Sequence, residues 1–160
     1  MARNEVFVSA RPDAVFEVLG DARTYGEWVV GSREVRAADE HWPAPGSALD
    51  HSIGKAPIVI RDDTTVVDAR PPVMLELRAR ARPLPTARVT LHLRPEGDGT
   101  WVTMIEGPTN RVVNRLGGRL LDRAIGLRNR ESLRRLKALA EGTAPRPDGA
   151  LPRRHGSDAA

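Results

Sequence analysis

Three side chains of this sequence stand where a proton could be moved or a polar ligand held: Glu106, His51 and Asn129. Glu106 closes a period-two stretch, Thr100 to Gly107, that follows another, Ala87 to Arg94, across Gly97-Asp98-Gly99. A two-residue Gly97-Asp98 turn, which the composition favours, sets Leu93 opposite Val102, Leu91 opposite Met104 and Val89 opposite Glu106. Residues opposite one another share a face, so a carboxylate lands among apolar side chains. Stripped of water there, it could act as a general acid or base, or anchor a ligand hydroxyl or carbonyl. The competing reading lets the strand end reach solvent, or pairs the carboxylate with an arginine. His51 shares a face with Leu49 and Ile53, and could carry a proton in a cavity or be a satisfied core histidine. Asn129 interrupts an apolar helical stripe, and a buried amide needs partners, from a ligand or from the sheet.

Other constellations point away from particular chemistries. Asp62 and Asp63 are adjacent in a strand and face opposite ways, which argues against a paired-carboxylate mechanism and leaves open which of them faces inward. His92 falls opposite Thr103 on the outer face. There is no cysteine, so disulfides, thiolate metal sites and thiol nucleophiles are excluded. The histidines and carboxylates lack metal-ligand spacing, and neither a glycine-rich phosphate loop nor a serine nucleophile elbow occurs, so no metal and no cofactor is expected. Trp28 and Trp42 could stack on a ligand, but a core plug and a loop anchor are the simpler roles. Trp101, opposite Arg94, reads as a cross-strand cation and ring pair.

The elements that must position these residues follow from periodicity. Glu5 to Ser9 alternates as a strand, with Val6 and Val8 on one face and Phe7 on the other. Pro12 suits the first turn of a helix that runs to Gly20, and a second short helix covers Ala22 to Val29, with Tyr25 and Trp28 on one face. The period then becomes two: Ser32 to Asp39, Ala48 to Lys55, Val59 to Ala69, Val73 to Ala81, Ala87 to Arg94 and Thr100 to Gly107 read as strands in hairpin order. In Leu75, Leu77, Ala79 and Ala81 the apolar residues alternate with Glu76, Arg78, Arg80 and Arg82, which fixes the inner face. A long helix carries Leu121, Ile125, Asn129, Leu133, Leu136 and Ala140 on one stripe, and Pro108 to Gly118 reads as a lead-in across one end of the sheet. An antiparallel, curved sheet wrapped around that helix is the expected α+β architecture.

With 160 residues, 40% of them hydrophobic, one domain is expected over residues 1–142, followed by a disordered Pro/Gly/Arg-containing tail at 143–160. The net charge of +4 comes mostly from arginines scattered among 21 acidic residues, a pattern that does not read as nucleic-acid binding. No apolar stretch has the length of a signal h-region or a membrane span, so a cytoplasmic protein is expected.

The first strand, the Arg11-Pro12-Asp13-Ala14-Val15-Phe16 helix, the Asp21 to Trp28 segment, the Gly99-Thr100-Trp101-Val102-Thr103-Met104 strand and the Arg128-Asn129-Arg130-Glu131-Ser132-Leu133 helix together resemble the START-like (SRPBCC) superfamily, in its polyketide cyclase/dehydrase-like branch. The resemblance covers about residues 3–141. It implies a helix-grip fold with a deep apolar cavity, and functions ranging from lipid or hormone binding through aromatase and cyclase chemistry to protein-partner roles. No catalytic residue carries over. The reading that results is binding of a small hydrophobic or polycyclic ligand, lipid- or polyketide-like, lined by Leu77, Val89, Leu91, Met104, Glu106, Leu121, Ile125 and Asn129. The alternatives are a cyclase, aromatase or dehydratase working through Glu106 or His51, and a protein-interaction module using the arginine-rich outer helix face.

Overall fold

The alternating stretches fold into seven strands: β1 (Ala2–Val8), β2 (Ser32–Ala38), β3 (Ala48–Lys55), β4 (Ile58–Arg70), β5 (Met74–Ala81), β6 (Leu84–Glu96) and β7 (Gly99–Pro108). The helices are α1 (Pro12–Gly20), α2 (Tyr25–Trp28) and α3 (Gly118–Ala140). This computed structural model describes residues 1–55, 58–81, 84–109 and 118–154, the side chains at 55, 58, 81, 84, 85 and 118–121 excepted. Most of the expected lead-in from Pro108 to Gly118, and the Leu121 side chain, therefore lie outside the described residues. The helix expected from Ala22 to Val29 divides into a 3-10 turn, Ala22–Thr24, and the four-residue α2. The Asp21 carboxylate starts that turn by accepting from the Arg23 backbone N–H at 3.0 Å.

All pairs are antiparallel, in the order β1-β7-β6-β5-β4-β3-β2. Because β1 and β2 are consecutive in sequence yet occupy opposite edges, α1 and α2 have to cross between them. The hairpin register is the one composition dictates: Leu93 faces Val102, Leu91 faces Met104 and Val89 faces Glu106. Gly97 takes the left-handed backbone that this tight turn requires, with φ of 58°.

The core forms between the concave face and the helices. Leu49, Val66, Leu75, Leu77, Leu91, Leu93, Val102 and Met104 come from the sheet, Val15, Phe16, Val18 and Leu19 from α1, and Leu133, Leu136 and Leu139 from α3. Each such side chain contributes on the order of 2 kcal/mol through burial. α3 packs chiefly on β1 and also touches α1, α2 and β7. Its buried positions are Asn129, Ser132, Leu133, Leu136 and Leu139; Ala140 is only half-buried and Ile125 likewise, while Leu127 is 65% exposed. The C-terminal half of α3 therefore carries the grip.

Trp28 is buried against Tyr25, and the Trp42 indole N–H donates to the Leu19 carbonyl at 3.3 Å, so both serve the core. Trp101 does stand opposite Arg94, but its ring partner is Phe7 on β1, at 5.5 Å between centroids. Arg94 instead reaches Glu96 at 2.9 Å.

The disorder expected from residue 143 does not describe residues 143–154. Ala144 and Leu151 pack against the core, and Arg153 forms a parallel bridge with Ala38 on the β2 edge. The Ala38 N–H donates to Pro152 O and the Arg154 N–H to Ala38 O, both at 3.1 Å. Ion pairs of Arg154 with Asp50 and Arg153 with Glu40, each at 3.0 Å, flank the bridge. An uncovered strand edge invites pairing with other chains. Truncation after Gly142 is expected to cost on the order of 2 kcal/mol, from two backbone hydrogen bonds and the Leu151 contact. The truncated chain should also self-associate as concentration rises; light scattering and urea melts of both lengths check this. Among the described residues no helix is long and apolar enough to cross a membrane.

Candidate functional site

Strand pairing decides which polar side chains face inward. His51 is opposite Asp62, and Leu49 opposite Thr64, so all four share the concave face. His51, Asp62 and Thr64 are each buried, whereas Asp63 points away and meets Arg80 at 3.5 Å. The inward aspartate is thus Asp62.

A hydrogen-bonded chain runs through this region. The Tyr25 hydroxyl and Thr64 Oγ1 lie 2.8 Å apart, Thr64 Oγ1 and His51 Nε2 3.1 Å, and His51 Nδ1 and Ser32 Oγ 3.3 Å. Tyr25 reaches the chain because α2 sits close on β2. A Cβ at Gly26 would come within 2.7 Å of the Arg33 carbonyl oxygen, so only glycine permits that approach. Burial lowers the His51 pKa, against the opposing pull of the Asp62 charge, and keeps the ring neutral at pH 7. A neutral imidazole donates from one nitrogen and accepts at the other, so the donors can run from Tyr25 to Ser32 or in reverse.

Burial pushes the Tyr25 phenol up to about 12, despite its bond to Thr64. Tyr25 is the chain's one tyrosine, which makes this directly measurable. In the unfolded chain the phenol ionises near its ordinary 10.0. Its contribution to stability is therefore complete below that pH and is lost as pH rises towards about 12. Two pH units correspond to about 3 kcal/mol. Phenolate absorbance should stay flat past pH 10 and then rise together with unfolding followed by circular dichroism; ionisation near 10 in the folded protein contradicts this.

The second half of the site lies where β7 and β1 meet α3. Glu106 is 5% exposed on the inner face, and both its carboxylate oxygens accept from Arg128 Nη2 at 2.5 Å. The carboxylate is inward, as the register requires, yet the arginine pairing also holds. Arg128 keeps about 40% of its side chain in solvent, so the ion pair spans from interior to surface. Asn129 is 1% exposed; its Oδ1 lies 3.5 Å from Arg128 Nη2, and its Nδ2 has no partner among the described residues. Asn4 Oδ1, on β1, is likewise buried and unpartnered among them. The charges of Arg128, Glu106 and Asp62 also act on the Tyr25 phenol, less strongly than its burial. Leu77, Leu91 and Met104 are buried on the same face and Val89 is half-buried.

Sequence reasoning reached Glu106, His51 and Asn129 but not Tyr25, Thr64, Ser32, Arg128 or Asn4. Thr64 carried a signal, two residues from Asp62 and opposite Leu49. Arg128 carried none, since arginines crowd α3. An open surface cleft of about 480 Å³ lies elsewhere, between α1 and β2, beside Asp21, Glu40, Trp42 and Arg153.

The family model described as polyketide cyclase/dehydrase and lipid transport matches residues 2–141 of this sequence. No match was found among curated proteins. Among solved structures, TTHA0849 from Thermus thermophilus is similar over 90% of this chain and 99% of its own, with TM-score 0.67 and 14% identity. CV1439 from Chromobacterium violaceum is similar over 91% and 96%, with TM-score 0.68 and 18% identity. The di-domain ARO/CYC StfQ of the steffimycin biosynthetic pathway matches 88% of this chain with 50% of its own, at TM-score 0.67 and 16% identity. At these identities the likeness establishes the helix-grip fold alone.

Proposed function

The chain belongs to the polyketide cyclase/dehydrase and lipid transport family, and from that premise we propose that it binds a small hydrophobic or polycyclic molecule, lipid- or polyketide-like, between the concave face of the sheet and α3. The observation that carries this reading is a set of polar groups, Glu106 with Arg128 and Asn129, mounted on a face otherwise lined by Leu77, Leu91 and Met104. Burying polar atoms costs stability that an apolar lining would not. A few convergent polar groups in an apolar setting are the usual make-up of a ligand site.

The test is a thermal-shift titration of the full-length chain against fatty acids, sterols, flavonoids and aromatic polyketides. A ligand that binds only the folded state at one hundred times its Kd stabilises by about 2.7 kcal/mol. A saturable rise in Tm with one chemical class is the expected result. No rise with any class overturns the reading.

The Tyr25–Thr64–His51–Ser32 chain favours a second reading, an enzyme of the cyclase, aromatase or dehydratase kind. Such a chain could take a proton from an activated carbon of a poly-carbonyl substrate and return one to a carbonyl oxygen, if the concave face held the reacting atoms close. Glu106→Gln and His51→Gln separate the readings. Lost turnover with ligand binding retained marks catalysis; binding by both variants without any turnover in the parent leaves a binding protein.

A further inference from the structure

Two buried amide atoms lack a partner among the described residues: Asn4 Oδ1, an acceptor, and Asn129 Nδ2, a donor. They come from facing elements. Asn4 stands opposite Met104, one inward position along from the Ala2 and Glu106 pair. Gly126, three residues before Asn129, faces Asn4: a Cβ there would lie 3.9 Å from Asn4 Oδ1, an ordinary contact distance. Asn129 in turn sits against Arg128, which holds Glu106. Asn129 therefore borders the ion pair, and Asn4 stands on the neighbouring inward position of β1.

A group that satisfies both must donate and accept at once. Carbonyls and ethers only accept, and a carboxylate adds a charge. An anion would be poorly placed, because Glu106 and Arg128 already balance one another. Resting on the cavity-binding reading above, we infer that the ligand presents a neutral hydroxyl, as an alcohol, phenol or enol, that donates to Asn4 Oδ1 and accepts from Asn129 Nδ2. A site whose polar atoms need a hydroxyl discriminates strongly against analogues that lack it.

A trapped water has the same two-sided chemistry, so the experiment must separate ligand from water. Isothermal titration of the full-length chain with naphthol, its methyl ether and naphthalene does so, since the three share one ring system. Naphthol is expected to bind about tenfold more tightly than the ether or the hydrocarbon. Asn129→Leu and Asn4→Leu should each erase that preference, so that naphthol binds no more tightly than its ether or naphthalene. If either leucine variant fails to fold by circular dichroism, the alanine variant at the same position, which removes the amide without crowding the site, should erase it instead.

Equal binding by all three compounds, or a preference that survives the asparagine changes, overturns the hydroxyl assignment and leaves water as the occupant. Absence of binding by all three, when another class in the thermal-shift panel responds, overturns it too. Failure of the whole panel removes the cavity reading itself.

Discussion

Replacing Arg128 with methionine is expected to destabilise the protein by about 3 kcal/mol, because it leaves the Glu106 carboxylate buried without its counter-charge. Glu106 is 5% exposed, and among the described residues its carboxylate oxygens accept from Arg128 Nη2. Breaking a buried pair from one side ordinarily costs about 3–5 kcal/mol. The lower end applies here, since 40% of the Arg128 side chain is in solvent and water can approach from that side once it is gone. The double change, Arg128→Met with Glu106→Gln, should recover most of the loss, because no charge then remains to be compensated. Urea denaturation of the parent, both single variants and the double variant measures the coupling. A double variant less stable than Arg128→Met alone would mean that the pair matters for shape and not for charge.

The Leu136→Ala change should cost about as much for a different reason. Leu136 is fully buried in the cluster that joins α3 to the sheet and α1, so its truncation loses transfer energy and leaves a cavity, together about 3 kcal/mol. For a chain of this size that lowers Tm by roughly 6–12 °C. The control is Leu127→Ala, nine residues earlier on the same helix. Leu127 is 65% exposed, and its loss should stay within about 0.5 kcal/mol. Equal costs at the two positions would place the grip along the whole of α3 instead of its C-terminal half.

Much of the scaffold was legible in local pattern. The alternation in Leu75, Leu77 and Ala79 and the Gly97-Asp98 turn settled strand, face and register together, because a one-residue slip would have moved every apolar side chain outward. The same logic placed Glu106 inward before any tertiary contact was considered. The apolar stripe found Leu133 and Leu136 on α3; the third buried leucine is Leu139, three residues on and on the same face.

The remainder depended on partners that are distant in sequence. Asp62 and Asp63 are equivalent in the sequence, and only the pairing of β3 with β4 turns Asp62 inward beside His51. The chain from Tyr25 to Ser32 joins residues 39, 13 and 19 positions apart, and no periodicity encodes such a meeting. Residues 150–154 lie on β2 through one bridge and its flanking ion pairs, too short a contact to leave a repeat in the sequence. By itself the sequence determined the strands, their faces and the helix that fills the sheet, because each is enforced by burial repeating every two or nearly four residues. Tertiary structure alone decided which polar groups meet on that face, because an isolated hydrogen bond or ion pair rests on the distance between two side chains and has no period.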